Sequence, residues 1–294
     1  MSVVAVVAHT GKTMGGGLVE LRRLLEAEGV TDPLWYEVPK SRKAPKRVKH
    51  ALDEGADLLF VWGGDGMVQR CADVLAGSEA TMAILPAGTA NLFASNLGIP
   101  ADLEEAVEVG LNGARRKLDV GRMNGERFCV MAGAGFDARM IRDADGGLKD
   151  RVGRAAYVWT GARNLNMKPF KADIKVDGAS WFNGKASSIL VGNVGELFGG
   201  VEAFEGARPD DGKLELGVVT ADGLVEWTRT IARTAIGTSS KSPFVQATQA
   251  RSVEVQLDRK VLYELDGGDR QKVKTLEVEV EPAAITVCVP VVAP

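Results

Sequence analysis

Two glycine-rich turns offer the clearest chemistry in this sequence. Leu58-Leu59-Phe60-Val61-Trp62-Gly63-Gly64-Asp65-Gly66 is an apolar run that ends in glycines holding one acid. Leu85-Pro86-Ala87-Gly88-Thr89-Ala90-Asn91 repeats the arrangement further along, again after an apolar run. Glycines let backbone N–H groups close on a phosphate, and a helix N-terminus favours its charge. A carboxylate beside them can hold Mg²⁺ or accept a proton. Thr89 could cap a following helix and offer a hydroxyl, and Asn91 could hold the loop or a nucleotide. Either turn alone is a common loop; the pair is the specific signal.

Such turns belong at the carboxyl ends of parallel strands, where open α/β sheets bind their ligands. The apolar runs Ser2–Ala8, Leu34–Val38, Asp57–Trp62 and Thr81–Leu85 predict strands. Helical spacing predicts helices over Leu18–Glu28, Lys46–Glu54, Val68–Ala76 and Asn91–Leu97. This alternation implies a parallel sheet with helices on both sides. From about Lys117 the pattern changes to strands: Arg127–Met131, Phe170–Val176, Ala186–Gly192, Lys213–Thr220, Ser252–Leu257, Leu276–Val280 and Ile285–Val289. Asn124-Gly125, Asp177-Gly178, Asn183-Gly184 and Asp211-Gly212 read as the turns between them. One helical stretch, Arg151–Leu165, interrupts the series. The expectation is an α/β domain over residues 1–120 and an antiparallel β-sandwich over 121–294.

Composition narrows the options. The 294 residues suffice for two cores, and 45% apolar with 26% charged residues is an ordinary globular balance. A net charge of −3 argues against a general nucleic-acid binder. With only His9 and His50, a histidine-rich metal site or a Ser-His-Asp triad is hard to build. Cys71, Cys129 and Cys288 are far apart in apolar runs, which suits buried free thiols in a reducing cytosol. No apolar run reaches the roughly 18 residues needed to span a bilayer, and the sequence enters a strand-like run at once, with no basic segment followed by a long apolar stretch. A cytoplasmic protein is expected, at most peripheral at the inner membrane surface.

The first turn, His9-Thr10-Gly11-Lys12-Thr13, ends like a P-loop, but Val6 stands where the first glycine of that motif belongs. Thr10 and Gly11 could instead contact a phosphate through hydroxyl and N–H, with Lys12 adding a point charge. The basic run from Lys40 to Lys49 is either a solvated helix start or a surface for anionic headgroups. Trp159, Trp181 and Trp227 read as core rather than as membrane anchors.

With these motifs the chain resembles the diacylglycerol kinase family, which includes sphingosine kinases and bacterial soluble lipid kinases. The resemblance rests on the Gly63–Gly66 loop followed by the Gly88–Asn91 loop. Asp119–Gly125, Ala132–Ala138, Pro209–Leu214 and Leu265–Gly267 then follow in the family's order. It implies a Rossmann-like ATP domain, a β-sandwich domain, and a cleft where a lipid hydroxyl meets the γ-phosphate. Carried over by position, Gly63, Gly64, Asp65, Gly66, Gly88, Thr89 and Asn91 would line the nucleotide. Thr10, Gly11 and Lys12 would join them, with Lys40 and Ser41 as polar neighbours. Asp65 and Asp119 would belong to a carboxylate, water and Mg²⁺ network. Asp211 would hold a structural Mg²⁺ together with main-chain oxygens of Arg208 and Lys213, unless it is a plain turn residue.

Three departures stand out. Met67 replaces the usual Thr, Gln69 the common Asn, and Gly268 the Glu of the family's Asp-Gly-Glu, whose acid is assigned as the base. Asp266 or Asp65 could take that role, Asp269 could swing in, or the chain could bind nucleotide without transfer. Asp266 is the leading candidate for base or acceptor-orienting group. The implied function is ATP- and Mg²⁺-dependent phosphorylation of a lipid hydroxyl, with transient membrane contact and no nucleic-acid partner. An NAD kinase is the alternative within the superfamily. Oligomeric state is left open, a homodimer included.

Overall fold

The structure is a computed structural model that describes residues 3–135, 169–197, 201–221, 226 and 243–291. The predicted helix Arg151–Leu165, Trp159, Trp227 and residues 136–138 of the Ala132–Ala138 motif lie outside them. The chain divides into two units, Met1–Leu118 with Ala283–Pro294, and Asp119–Pro282.

The first unit alternates strands and helices. These are β1 (Val4–His9), α1 (Gly17–Ala27), β2 (Leu34–Val38), α2 (Ala44–Asp53), β3 (Leu58–Gly63), α3 (Asp65–Leu75), β4 (Thr81–Pro86), α4 (Leu92–Asn96) and α5 (Leu103–Asn112). β1 pairs in parallel with β2 and β3, and β3 with β4. Every residue of β3 is buried, as a strand covered on both faces requires. Phe60 and Trp62 pack with Leu21, Leu24 and Leu25 of α1 and with Leu103, Ala106 and Val107 of α5 in one core. Helix α5 escaped the pattern reading. It starts at Asp102, whose carboxylate accepts the Glu104 and Glu105 amides at 2.9 and 3.1 Å.

The second unit holds β5 (Ala114–Met123, entered from the first unit), β6 (Glu126–Phe128), β7 (Met131–Ala134), β8 (Phe170–Val176), β9 (Ala179–Ala186) and β10 (Ser188–Gly192). β11 (Glu196–Leu197), β12 (Val201–Glu202), β13 (Leu214–Val219), β14 (Val245–Ala250), β15 (Ser252–Leu265) and β16 (Gly268–Val289) complete it. The paired strands within it run antiparallel. β8 buries Phe170, Ala172 and Ile174 and exposes the residues between, the alternation of a half-solvated strand. β15 pairs with β8 over Val253–Leu257 and with β7 over Tyr263–Leu265, its register against β16 shifting between Gln256 and Val261. Trp181 packs against this core, as expected.

Several strand assignments change. Asn183-Gly184, expected as a turn, lies inside β9, facing Asp173 and Ala172 of β8. Arg127–Met131 splits into β6 and β7, and Leu276–Val280 with Ile285–Val289 fuses into β16. The end of β16 leaves the sandwich: Thr286 and Val287 pair in parallel with Thr81 and Met82 of β4. A short apolar run such as Ile285–Val289 suits either setting, so pattern alone could not separate them. Among the described residues no helix is long and apolar enough to cross a membrane.

Candidate active site

Parallel pairing brings the turns after β1, β3 and β4 to the same edge of the first sheet. After β1, the Thr10 amide donates to the Val38 carbonyl at 3.0 Å, and the Gly11 amide to His9 Nδ1 at 3.1 Å. Trp62 Nε1 donates to the Lys12 carbonyl at 3.1 Å, tying this turn to the end of β3. Helix α1 begins only at Gly17, so Lys12 and Thr13 do not open a helix as they would in a P-loop. Lys40 and Ser41 follow β2, where the Lys43 amide closes a turn on the Lys40 carbonyl at 3.0 Å.

The two glycine turns touch. A Cβ on Gly88 would lie 2.3 Å from the Gly64 Cα, a separation that no side chain permits. The Ala87 amide donates to the Gly63 carbonyl at 3.0 Å. Asn91 sits at φ +49, and its side chain holds the second turn from within. Its Oδ1 accepts the Gly88 amide at 2.9 Å, while Nδ2 donates to the carbonyls of Pro86 and Gly88 at 2.9 and 3.0 Å. Gly66 differs: nothing lies within 4 Å of a Cβ built there. A crevice of close-set backbone with open space at Gly66 fits a phosphate chain.

Thr89 does not cap the helix it precedes. It is exposed, Asn91 holds the N-cap position, and the Phe93 amide is taken instead by Asp65 Oδ1 at 3.1 Å. Burial raises the Asp65 carboxyl above its ordinary value, opposed by the backbone amides of Phe93, Asp65, Leu92 and Asn91. Met67, 2% exposed, packs under the turn, its Cβ 2.6 Å from where a Cβ on Gly63 would stand, and Gln69 is buried in α3.

In the second unit, Asp119 is 3% exposed on β5. Its amide donates to the Pro209 carbonyl at 2.7 Å, and its Oδ2 accepts the Gly212 amide at 2.7 Å. This joins Asp119 to the Asp211 turn, which the sequence treated as separate. Asp211 Oδ1 accepts the Lys213 amide at 3.0 Å. Arg208 Nε donates to Asp210 Oδ1 at 3.2 Å, and Lys213 Nζ to Gln249 at 2.9 Å. Asp211 is exposed, and its carboxylate is a hard-oxygen donor of the kind that Mg²⁺ takes. Among the described residues no three His, Cys, Asp or Glu side chains converge as metal ligands.

Asp266 and Gly267, at φ +45 and +74, make the two-residue turn between β15 and β16. The Asp266 carboxylate accepts the amides of Cys129, Val130 and Met131 at 2.8, 2.9 and 2.9 Å. Asp269 is exposed. Sequence reading missed two polar residues of this unit: Glu264, 2% exposed on β15 opposite Gly133, and Asn193, 1% exposed after β10. Both sit in or beside apolar strands, where no local pattern marks them.

Residues 4–123 match the diacylglycerol kinase catalytic domain, and residues 130–289 match the YegS C-terminal NAD kinase beta sandwich-like domain. The chain belongs to the diacylglycerol kinase family. A diacylglycerol kinase of Bacillus subtilis (strain 168) is 32% identical over 230 residues, 74% of each chain. A protein of Klebsiella pneumoniae (strain 342) named probable lipid kinase YegS-like is 29% identical over 272 residues, 91% of this chain and 89% of its own. A solved diacylglycerol kinase from Bacillus anthracis str. Sterne superposes with a TM-score of 0.74 at 22% identity, covering 98% and 96% of the chains. An NAD kinase from Archaeoglobus fulgidus, solved in complex with ATP, shares the fold with a TM-score of 0.55 at 11% identity, covering 97% and 92%. Members of the diacylglycerol kinase family are ATP-using phosphotransferases with an alcohol acceptor, and the chain has both of the family's domains.

Proposed function

We propose that the protein transfers a phosphoryl group from ATP, with Mg²⁺, to the hydroxyl of diacylglycerol or a related lipid. The observation that carries this is the contact of Gly64 with Gly88, which sets two amide-bearing turns against each other beside Asp65. Amides of Gly63–Gly66 would bind phosphate oxygens while Asn91 holds the Gly88 turn in shape, and the Thr89 hydroxyl and Lys12 ammonium are exposed or half-exposed groups at the same sheet edge. ATP would supply the phosphoryl group and Mg²⁺ would offset its charge. Asp65 would orient that cation or take the acceptor proton, standing beside the two turns through its bond to the Phe93 amide. Asp266 acts by orientation, since its carboxylate already gathers three amides. Asp119 and Asp211 are the second unit's proposed Mg²⁺ groups. The exposed basic residues Arg42, Lys43, Lys46, Arg47 and Lys49 meet anionic headgroups during transient contact with a membrane.

Incubation with radiolabelled ATP, Mg²⁺ and lipid extracts tests this reading. Labelled lipid is expected, and its loss in Asp65→Asn. No label with any lipid, from protein that binds ATP by calorimetry, would instead support a second reading, a nucleotide-binding protein without transfer. Gly268, which has no side chain where the family places its acid, is the observation that favours it.

A further inference from the structure

Asn193 links motifs that lie far apart in the chain. Its Nδ2 donates to the carbonyls of Asp119 and Cys129, each at 2.9 Å. Its backbone amide donates to the Val130 carbonyl at 2.9 Å. Only the NH₂ end of an amide can face two carbonyls, so the partners dictate its orientation. The other end, Oδ1, is buried without a hydrogen-bond partner among the described residues. An unpaired buried acceptor opposes folding, and an apolar residue of similar volume would avoid that cost. The amide therefore serves the two carbonyls it holds rather than packing.

Those carbonyls belong to the segments that carry the unit's acids. Cys129, Val130 and Met131 turn their amides to the Asp266 carboxylate, and the Asp266 amide returns to the Met131 carbonyl at 2.9 Å. Asp119 is fixed on its other side by Pro209 and Gly212. One side chain thus spans from Asp119 to the strand segment on which Asp266 hangs.

We propose that Asn193 is a positioning residue that fixes the spacing of Asp119 and Asp266 for phosphoryl transfer. The proposal rests on the functional reading above. It predicts that loss of the two side-chain donations loosens both acids while nucleotide binding persists.

The test compares the full chain with Asn193→Leu, which matches volume without donors, and Asn193→Ser, which keeps one short donor and serves if the leucine variant does not fold. Hydrogen exchange is followed by mass spectrometry on peptides carrying Cys129–Met131. Activity is followed as kcat and as KM for ATP, per folded molecule measured by circular dichroism. Exchange there is expected to quicken about tenfold or more. The kcat is expected to fall by about 10- to 100-fold, with KM for ATP held within about twofold. Unchanged exchange at Cys129–Met131, or a kcat that falls only with the folded fraction, overturns the proposal. If the unsubstituted protein binds ATP yet labels no acceptor, the functional reading fails by itself. Exchange then still decides whether Asn193 ties the two segments together.

Discussion

The Asp65 carboxylate accepts the Phe93 amide at 3.1 Å, so the acid of the first glycine turn also secures the helix that follows the second. One side chain therefore holds the two loops in step and places a part-buried carboxyl beside them. Burial raises its pKa, which makes the charge costly in the folded state.

The sign of that cost gives the first prediction. A carboxyl whose folded pKa is raised stabilises the fold fully below the ordinary carboxylate range and loses that contribution as pH rises through the raised value. Towards neutral pH Asp65 therefore contributes less to stability than it does in acid. Asp65→Asn keeps an acceptor for Phe93 and removes the charge. Its Tm near neutral pH is expected to equal or exceed that of the unsubstituted protein, the advantage shrinking towards acid. Transfer is expected to fall by about 100-fold or more. Calorimetry at neutral and acid pH, with the labelled-lipid assay, checks both; a lower Tm at neutral pH counts against the account.

Gly88 and Gly66 should respond in opposite ways. In Gly88→Ala the new Cβ falls 2.3 Å from the Gly64 Cα and 2.5 Å from Asn91 Oδ1, so backbone must move. A loss of about 1–3 kcal/mol is expected, with weaker ATP binding. Gly66→Ala meets nothing within 4 Å and should change stability by less than about 0.5 kcal/mol. It should still weaken ATP binding, because its methyl occupies the open side of the turn. Urea unfolding and nucleotide calorimetry separate the two effects.

The missing family acid can be restored. A Cβ at Gly268 would lie 2.8 Å from an Arg270 guanidinium nitrogen, the movable end of a long side chain, and 3.3 Å from the Leu265 carbonyl. Gly268→Glu is therefore expected to fold, with kcat raised about tenfold or more if a base is what limits transfer. An unchanged kcat would mean that Asp65 already meets the need.

Asp266→Ala would leave the amides of Cys129, Val130 and Met131 without their carboxylate. Each unpaired buried donor costs about 1–3 kcal/mol, so a loss of about 3 kcal/mol or more is expected by urea unfolding. A variant as stable as the unsubstituted protein would remove Asp266 from its anchoring role.

Lys43 and Lys46 are exposed at the start of α2. Each basic residue near an anionic membrane adds about 1 kcal/mol of attraction, so reversing both as Lys43→Glu and Lys46→Glu should weaken binding to phosphatidylserine vesicles by about tenfold or more. Salt should weaken the unsubstituted protein in the same direction. Vesicle sedimentation measures it, and equal binding by the variant would make this face a merely solvated one.

Legibility followed locality. β2 and β8 lie where the apolar runs placed them, because each strand's own residues state its burial. Helix α5 was missed because its buried face uses Ala106 and Gly110, residues that carry little pattern; Gly110 is required there by Phe60, 2.3 Å from where its Cβ would be. The glycine turns could be read as a pair, but not that Asp65 rather than Thr89 meets the Phe93 amide, since that bond joins residues 28 apart. Asn193 was invisible for the same reason: its partners are 64 and 74 residues away. Local sequence announces turns and faces, while the bonds that set acids in register are distant ones.

The pairing of Thr286 and Val287 with β4 has a consequence for biosynthesis. During translation the N-terminal sheet emerges early with the hydrogen-bonding edge of β4 bare, and a bare edge invites pairing with other chains. Its neighbour is delivered only after the entire sandwich has left the ribosome. The nucleotide-binding half thus waits on the chain's far end for closure, and a fragment stopped near residue 120 would carry a sticky margin that the whole polypeptide covers for itself.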